Sequence, residues 1–204
     1  GSHGDNIIDG GAGRDQIINT GNGSDTIVIR SGSGGSTQTT ADYHHEWNID
    51  SGDKIGLDGG LEYSDLTIAQ GVSAGVGTDT SGYENHTVIS YGSEYLLVLN
   101  STVASSVDYF DFTSMATGNQ TLSGTTGDDV LIGAAGIDTV TSNTGSDVII
   151  TNGGDDVITV DGVGNKTIDG GAGTDSLTIS VSGNNNLGSY AITQSGDYMV
   201  LTDS

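Results

Sequence analysis

The sequence has no cysteine and no proline, and only four of its 204 residues are lysine or arginine. Without cysteine, disulfides and thiolate metal sites are excluded. Aromatic residues are 5% and apolar residues 33% of the chain. That leaves only a thin core, so something besides apolar burial must stabilise it. A structural metal is the obvious substitute for disulfides. With 27 acidic residues the formal net charge is −23. Such a chain repels nucleic acid and anionic membrane and attracts cations. No apolar run is long enough to span a bilayer, so membrane insertion is not expected. The length suits one or two domains. Gly1, Ser2 and His3 read as a cloning scar (residues 1–3) and are set aside. No signal peptide is visible, and the chain reads as a fragment of something longer. The bland reading of an acidic, glycine-rich chain is disorder, which fits the metal-free state better than the metal-loaded one.

What is present is repetition. From Gly124 the chain reads GTTGDDVLI, GAAGIDTVT, SNTGSDVII and TNGGDDVIT, so Asp129, Asp138, Asp147 and Asp156 fall nine apart. After Val160 a one-residue slip gives DGVGNKTID, where Lys166 takes the aspartate position; GGAGTDSLT then carries Asp175. The same unit occurs as GGAGRDQII (Gly10–Ile18) and TGNGSDTIV (Thr20–Val28), after a partial unit beginning at Asp5. There the register is looser, with Asp5, Asp15 and Asp25 ten apart. The glycine-rich half of each unit allows positive φ and a tight turn. The half after the aspartate is a short strand with one inward apolar residue: Ile7, Ile17, Ile27, Leu131, Val140, Ile149, Ile158, Ile168 and Leu177. Two units make one coil, and a coil cannot bury its apolar residues unless others stack on it.

The expected organisation is a first repeat block at 4–29, a β-rich flanking or cap region at 30–117, a second repeat block at 118–180 and a C-terminal β cap at 181–204. In the middle region, 31–40 reads as a loop. His45–Ile49, Leu66–Gln70, Thr87–Tyr91 and Tyr95–Asn100 read as strands, as do Tyr190–Thr193 and Tyr198–Thr202. No window shows a helical period.

The aspartate position has a chemical reason. Calcium takes six to eight oxygen ligands. A glycine turn can aim backbone carbonyls one way, and the aspartate ending it adds a carboxylate. The next coil supplies further oxygens, so the ion bonds adjacent coils. The expected vertical neighbours are Asp129 with Asp147, and Asp138 with Asp156 and Asp175. The candidate metal residues are Asp5, Asp15, Asp25, Asp129, Asp138, Asp147, Asp156 and Asp175. Their turn glycines complete the set: Gly11, Gly13, Gly21, Gly23, Gly127, Gly136, Gly145, Gly154, Gly171 and Gly173. At Lys166 the site is expected to be lost, its ammonium neutralising nearby carboxylates. Ser142, Asn143, Thr151 and Asn152 replace turn glycines; asparagine tolerates left-handed backbone, so Asn143 and Asn152 disturb the turn less. About three to seven calcium ions are expected from this ligand chemistry.

Over Gly4–Val28 and Gly124–Ile179 the pattern resembles the RTX (repeats-in-toxin) family, with consensus GGxGxDxUx, U being a large apolar residue. The resemblance implies an all-β fold, a parallel β-roll or β-solenoid of these nonapeptides, here with an intervening β-rich flanking or capping region. It also implies calcium in the turns, type I secretion, and a place secreted from or on the surface of a Gram-negative bacterium. The stretches SGDKIGLDGGLEYSDLTIAQ (51–70) and VASSVDYFDF (103–112) resemble the β segment that follows RTX repeats in secreted proteins.

Other features carry weaker chemistry. His44, His45 and Glu46 lack the HExxH spacing of a zinc site, and neighbours on a strand face opposite ways. Tyr43, Trp47, Tyr63, Tyr83, Tyr91, Tyr95 and Tyr109 are either core and strand-pair residues or a ligand platform. Thr139, Thr141, Thr159 and Thr178 suggest an outward array of the kind that solenoids use to bind ice, here broken by Ile132, Ile150 and Asp169. The pairs Asp128–Asp129 and Asp155–Asp156 belong to the repeat, so no catalytic residue is expected and the chain does not read as an enzyme. The leading reading is a calcium-dependent structural or interaction module of an RTX adhesin. The alternatives are an accessory or secretion module of a secreted enzyme (protease, lipase or polysaccharide-modifying), and capture of an extracellular glycan or peptide by the middle region.

Overall fold

In a computed structural model the described residues are 4–17, 20–45, 52–71, 85–180, 190–195 and 198–203. The fold is all-β; among the described residues the only helices are single 3-10 turns such as Tyr63–Asp65 and Tyr109–Asp111. None is long and apolar enough to cross a membrane. The chain divides into two units, residues 1–113 and 114–204.

The first unit contains β1 (Ile7–Ile8), β2 (Gln16–Ile17), β3 (Thr26–Arg30), β4 (Asp42–His44), β5 (Lys54–Asp58), β6 (Leu66–Gln70), β7 (Thr87–Tyr91), β8 (Glu94–Leu99) and β9 (Phe112–Ser114). The first strands alternate between two sheets, ordered β1-β3-β5-β9 and β2-β4-β8-β7-β6, and β6, β7 and β8 then follow one another in the second. Pairing is parallel through β1–β3–β5 and β2–β4–β8, then antiparallel in β8–β7–β6. The parallel pairing thus runs on from the first repeats into the middle region. Ile27 lies beside Ile55, and His44 lies between Ile17 and Leu99. His44 is fully buried, at a packing position in line with apolar neighbours. The expected strand at 45–49 is instead β4, which ends at His44; 46–49 lie outside the described residues.

The second unit contains β10 (Thr121–Ser123), β11 (Val130–Ile132), β12 (Thr139–Thr141), β13 (Asp147–Ile150), β14 (Val157–Asp161), β15 (Lys166–Asp169), β16 (Ser176–Ser180), β17 (Tyr190–Ser195) and β18 (Tyr198–Asp203). They form two further sheets, β10-β12-β14-β16 and β11-β13-β15-β18-β17. The repeat strands pair in parallel, whereas β18 pairs antiparallel with β15 and β17. The step between paired strands is 18 residues at Asp138–Asp156 and 19 at Asp156–Asp175, so the slip after Val160 is absorbed in one turn.

The core follows from the nine-residue pattern. Val140, Ile158 and Leu177 align across one sheet, and Leu131, Ile149 and Ile168 across the other. Val140, Ile149, Ile158, Val160, Ile168 and Leu201 form one buried cluster, with Leu122, Leu131, Leu177 and Ile179 packed against it. Full burial of each such side chain contributes roughly 1.5–3 kcal/mol. One inward assignment is corrected: Ile8, not Ile7, aligns with Ile27, and Ile7 is 69% exposed. Asn6 therefore stands in line with Asp25, and Asp5 lies one residue off that line.

Candidate metal sites

Most repeat turns end in an aspartate, whose carboxylate has two distinct oxygens. The Oδ1 atoms tie neighbouring turns together. Asp129 N donates to Asp147 Oδ1 (3.1 Å), Asp138 N to Asp156 Oδ1 (2.7 Å) and Asp156 N to Asp175 Oδ1 (3.0 Å). In the first unit Asn6 N donates to Asp25 Oδ1 (2.8 Å), Asp25 N to Asp53 Oδ1 (2.9 Å) and Asp15 N to Asp42 Oδ1 (2.8 Å). Asp42 and Asp53 thus join the aspartate columns, although neither was among the sequence candidates. Asp53 has a partial sequence signal: Asp53-Lys54-Ile55 repeats the order aspartate, any residue, apolar, with Gly52 one residue before the aspartate rather than two. Asp42 has none.

The preceding acidic residues link turns in the opposite sense. Asp128 Oδ1 accepts from Ser146 N, Asp155 Oδ1 from Thr174 N and Asp5 Oδ1 from Ser24 N. Asp5 is therefore the counterpart of Asp128 and Asp155. The paired aspartates divide their bonds between neighbouring turns.

The Oδ2 atoms separate the turns into three kinds. In the turns of Asp129 and Asp138, the amide four residues earlier closes over the carboxylate: Thr125 N donates to Asp129 Oδ2 (2.6 Å), and Ala134 N to Asp138 Oδ2 (2.7 Å). In the turns of Asp15, Asp25 and Asp156, that earlier position is left-handed, at Gly11 (φ 81°), Gly21 (φ 107°) and Asn152 (φ 64°). There Oδ2 is buried without a hydrogen-bond partner. The turn of Asp147 has the same backbone at Asn143 (φ 60°), but its Oδ2 lies 2.9 Å from Lys166 Nζ. That contact is an ion pair rather than an aligned hydrogen bond. Asn143 and Asn152 supply the left-handed φ that glycine supplies elsewhere, and their side-chain amides add bonds to Gly124 O and Gly133 O. Ser142 and Thr151 are buried at positions that require no positive φ.

The glycine two before each aspartate answers a different demand. A Cβ on Gly154 would meet Gly136 O at 2.3 Å, and one on Gly173 would meet Gly154 O at 1.9 Å. In the second unit one turn's carbonyl therefore presses on the Cα of the next: Gly127 on Gly145, Gly136 on Gly154, Gly145 on Gly164 and Gly154 on Gly173.

The turns of Asp15, Asp25 and Asp156 fit a hard cation, whereas those of Asp129 and Asp138 already satisfy Oδ2 with an amide. A buried carboxylate oxygen without a partner carries a desolvation cost that a cation relieves. Burial is the main cause that raises the Asp147 carboxyl above the ordinary carboxylate range, although Lys166 opposes it. Burial likewise raises Asp42, opposed by its bond from the Asp15 amide. Among the described residues no three His, Cys, Asp or Glu side chains gather to hold a metal by themselves. Backbone carbonyls must then complete any cation's shell, and the lysine illustrates how. Its ammonium donates to Gly145 O and, at 3.4 Å, to Val163 O. The repeat-equivalent oxygens in the neighbouring column belong to Asp156, Gly154 and Ala172.

The remaining candidates are dispersed. Tyr63 packs edge-on against Phe112 and Tyr109, while Tyr43 packs against His45 and His86. Tyr43 and Tyr95 also cover the Ala41–Val88–Val98 cluster. Trp47, Tyr83 and Glu46 lie outside the described residues. The threonine array is less broken than expected. Ile132, Ile150 and Asp169 lie on the other sheet, while Ser123, Thr141, Thr159 and Thr178 form one row across β10, β12, β14 and β16. The row beside it is Thr121, Thr139, Val157 and Ser176.

The family model of the RTX calcium-binding nonapeptide repeat matches this chain in four copies, over residues 1–17, 116–143 and 132–163. No sequence among curated proteins matches the chain.

Proposed function

This chain carries RTX calcium-binding repeats, and from that premise we propose that it is a calcium-folded β-roll, a structural and interaction module with no catalytic activity of its own. The observation that carries the reading is the set of buried, unpartnered Oδ2 atoms on Asp15, Asp25 and Asp156, in a chain of net charge −23. Asp156 would hold calcium with the carbonyls of Gly154 and Ala172 and the carboxylate of Asp175; Asp15 and Asp25 would do so in the first unit. Calcium supplies positive charge and a demand for many oxygens at once. The chain's own part is to keep those oxygens aimed and dry. Left-handed turn residues hold amides off the carboxylates, and the Oδ1 rungs fix each aspartate against its neighbour. Because metal affinity of this kind is folding free energy, the module is disordered by charge repulsion at low calcium and rigid at high calcium.

RTX-repeat proteins are typically extracellular and bacterial. That supports a place in a secreted or cell-surface protein, for which an adhesin is our reading. Neighbouring sequence discriminates: tandem β-sandwich repeats favour an adhesin, and an upstream catalytic domain favours an accessory module of a secreted enzyme. The direct test is far-UV circular dichroism with thermal melts across a calcium titration, starting from chelated protein. A cooperative gain of β signal and a large rise in Tm are expected. A chain already folded and indifferent to calcium would overturn the proposal.

A further inference from the structure

Of the four cationic side chains, only Lys166 is buried, with no exposed surface. A lysine usually keeps its ammonium in water, and this chain offers exposed carboxylates in abundance. Its ammonium instead sits among three oxygens of two successive turns: Asp147 Oδ2, Gly145 O and Val163 O. The turn that carries it has kept the open backbone of its aspartate counterparts, with Gly162 at φ 87° and Gly164 at φ 111°, as Gly171 (φ 70°) and Gly173 (φ 140°) have in the turn of Asp175. The two glycines are shared, and at the last position lysine stands where the counterpart turn has aspartate. The rung reflects the exchange. With no carboxylate in line at position 166, Asp147 N donates to Asn165 O instead. In the neighbouring column, where Asp175 takes the equivalent place, Asp156 Oδ2 is left without a partner.

We propose that Lys166 is a tethered counter-cation. Its ammonium occupies the place between the 142–147 and 161–166 turns that a calcium ion takes between the 151–156 and 170–175 turns. The inference rests on the calcium reading above and deepens it. One charge in this column is covalently supplied, so the column needs one ion fewer and its last pair of turns closes independently of calcium.

The test is the number of calcium ions per chain, counted by native mass spectrometry on wild type, Lys166→Asp and Lys166→Met. Lys166→Asp restores an oxygen donor and should carry one more calcium than wild type, while Lys166→Met should carry none extra. A folded Lys166→Asp with an unchanged count on a calcium-binding wild type overturns this proposal alone. No calcium on wild type overturns the calcium reading and this inference with it. A second measurement needs no variant. In excess calcium, a small amine-acylating reagent should modify Lys166 at least about tenfold more slowly than Lys54, because access to it requires opening of the turns. Modification at the rate of a free lysine amine overturns the proposal even if Lys166→Asp fails to fold.

Discussion

Two columns of turns in the second unit share backbone, period and their first rung, yet they settle their buried charge differently. Asp138, Asp156 and Asp175 form one column; Asp129, Asp147 and Lys166 form the other. In both, the first aspartate is satisfied by its own turn amide. At the second aspartate they part. Asp147 Oδ2 meets an ammonium, and Asp156 Oδ2 has no hydrogen-bond partner from the protein. The repeat therefore specifies a carboxylate that needs a cation, and leaves open whether chain or solvent provides it.

The largest expected effect comes from what the columns have in common. Gly154→Ala would push a Cβ to 2.3 Å from Gly136 O while keeping φ at 132°. Neither turn backbone can yield without separating the stacked turns, so we expect a loss of about 3 kcal/mol or more from strain and lost stacking. Denaturant unfolding at saturating calcium measures it. A loss under about 1 kcal/mol would show that the turns are not in carbonyl contact.

The next test separates the columns. Lys166→Met leaves Asp147 buried with no counter-charge, and removing one partner of a buried pair costs about 3–5 kcal/mol. That loss should appear in calcium and in chelator alike, wherever the wild type retains structure. Asp156→Asn behaves differently. It keeps an oxygen for the Oδ1 rung and removes the charge that calcium neutralises under the proposed function. Stability should fall by about 1–3 kcal/mol in calcium, yet hold or rise in chelator. Equal losses under both conditions would show that Asp156 does only the work of a rung.

A finer test converts one kind of turn into another. Thr125→Gly removes the side chain that accompanies the closed turn and permits a left-handed residue there, as at Gly11 and Asn152. If that backbone choice controls whether the carboxylate is free, the variant should bind calcium more tightly at Asp129. In chelator it should lose about 1 kcal/mol, because the Thr125 amide bond to Oδ2 is given up. Calorimetric calcium titration checks it, and unchanged affinity would separate φ from cation capture.

How far these distinctions could be read from sequence follows from their physics. The inward residues Val140, Ile149, Ile158 and Ile168, and the pairing of Asp129 with Asp147 and Asp138 with Asp156, were legible because a fixed period forces them. The strands Leu66–Gln70 and Thr87–Tyr91 were legible from β-branched content between turn residues. Asp42 was not, because an insertion lengthens its step to 27 residues and Asp-Tyr-His preserves neither glycine nor an apolar inward residue. The shift from Ile7 to Ile8 was hidden by Asn6 standing where aspartate stands elsewhere. Gly4-Asp5-Asn6 does parallel Gly127-Asp128-Asp129, and that likeness is the usable signal. Whether Thr125 or Ala134 closes over a carboxylate depends on a single φ angle, which residue identity biases without fixing.

The smallest expected effect lies in the first unit, where a tethered cation also bridges strands, but in solvent. Arg30 on β3 pairs with Asp9 (Nη2 to Oδ2, 2.5 Å) and with Asp58 on β5 (2.8 Å). Its hydrogen bond holds the Asp9 carboxyl below the usual carboxylate range. A carboxylate whose folded pKa is depressed adds stability above its unfolded value, and loses it as pH falls through the folded one. The pair should therefore contribute at neutral pH and fade in acid. With Asp9 exposed and Arg30 only half-buried, salt screens them, and Arg30→Ala should cost under about 1 kcal/mol at low ionic strength. Denaturant unfolding of wild type and Arg30→Ala, in calcium at low and high salt, checks this. The two should converge at high salt, whereas Lys166→Met should keep its deficit, because its partner oxygens are shielded from ions. Equal salt sensitivity of the two deficits would mean that burial does not distinguish the two tethered cations.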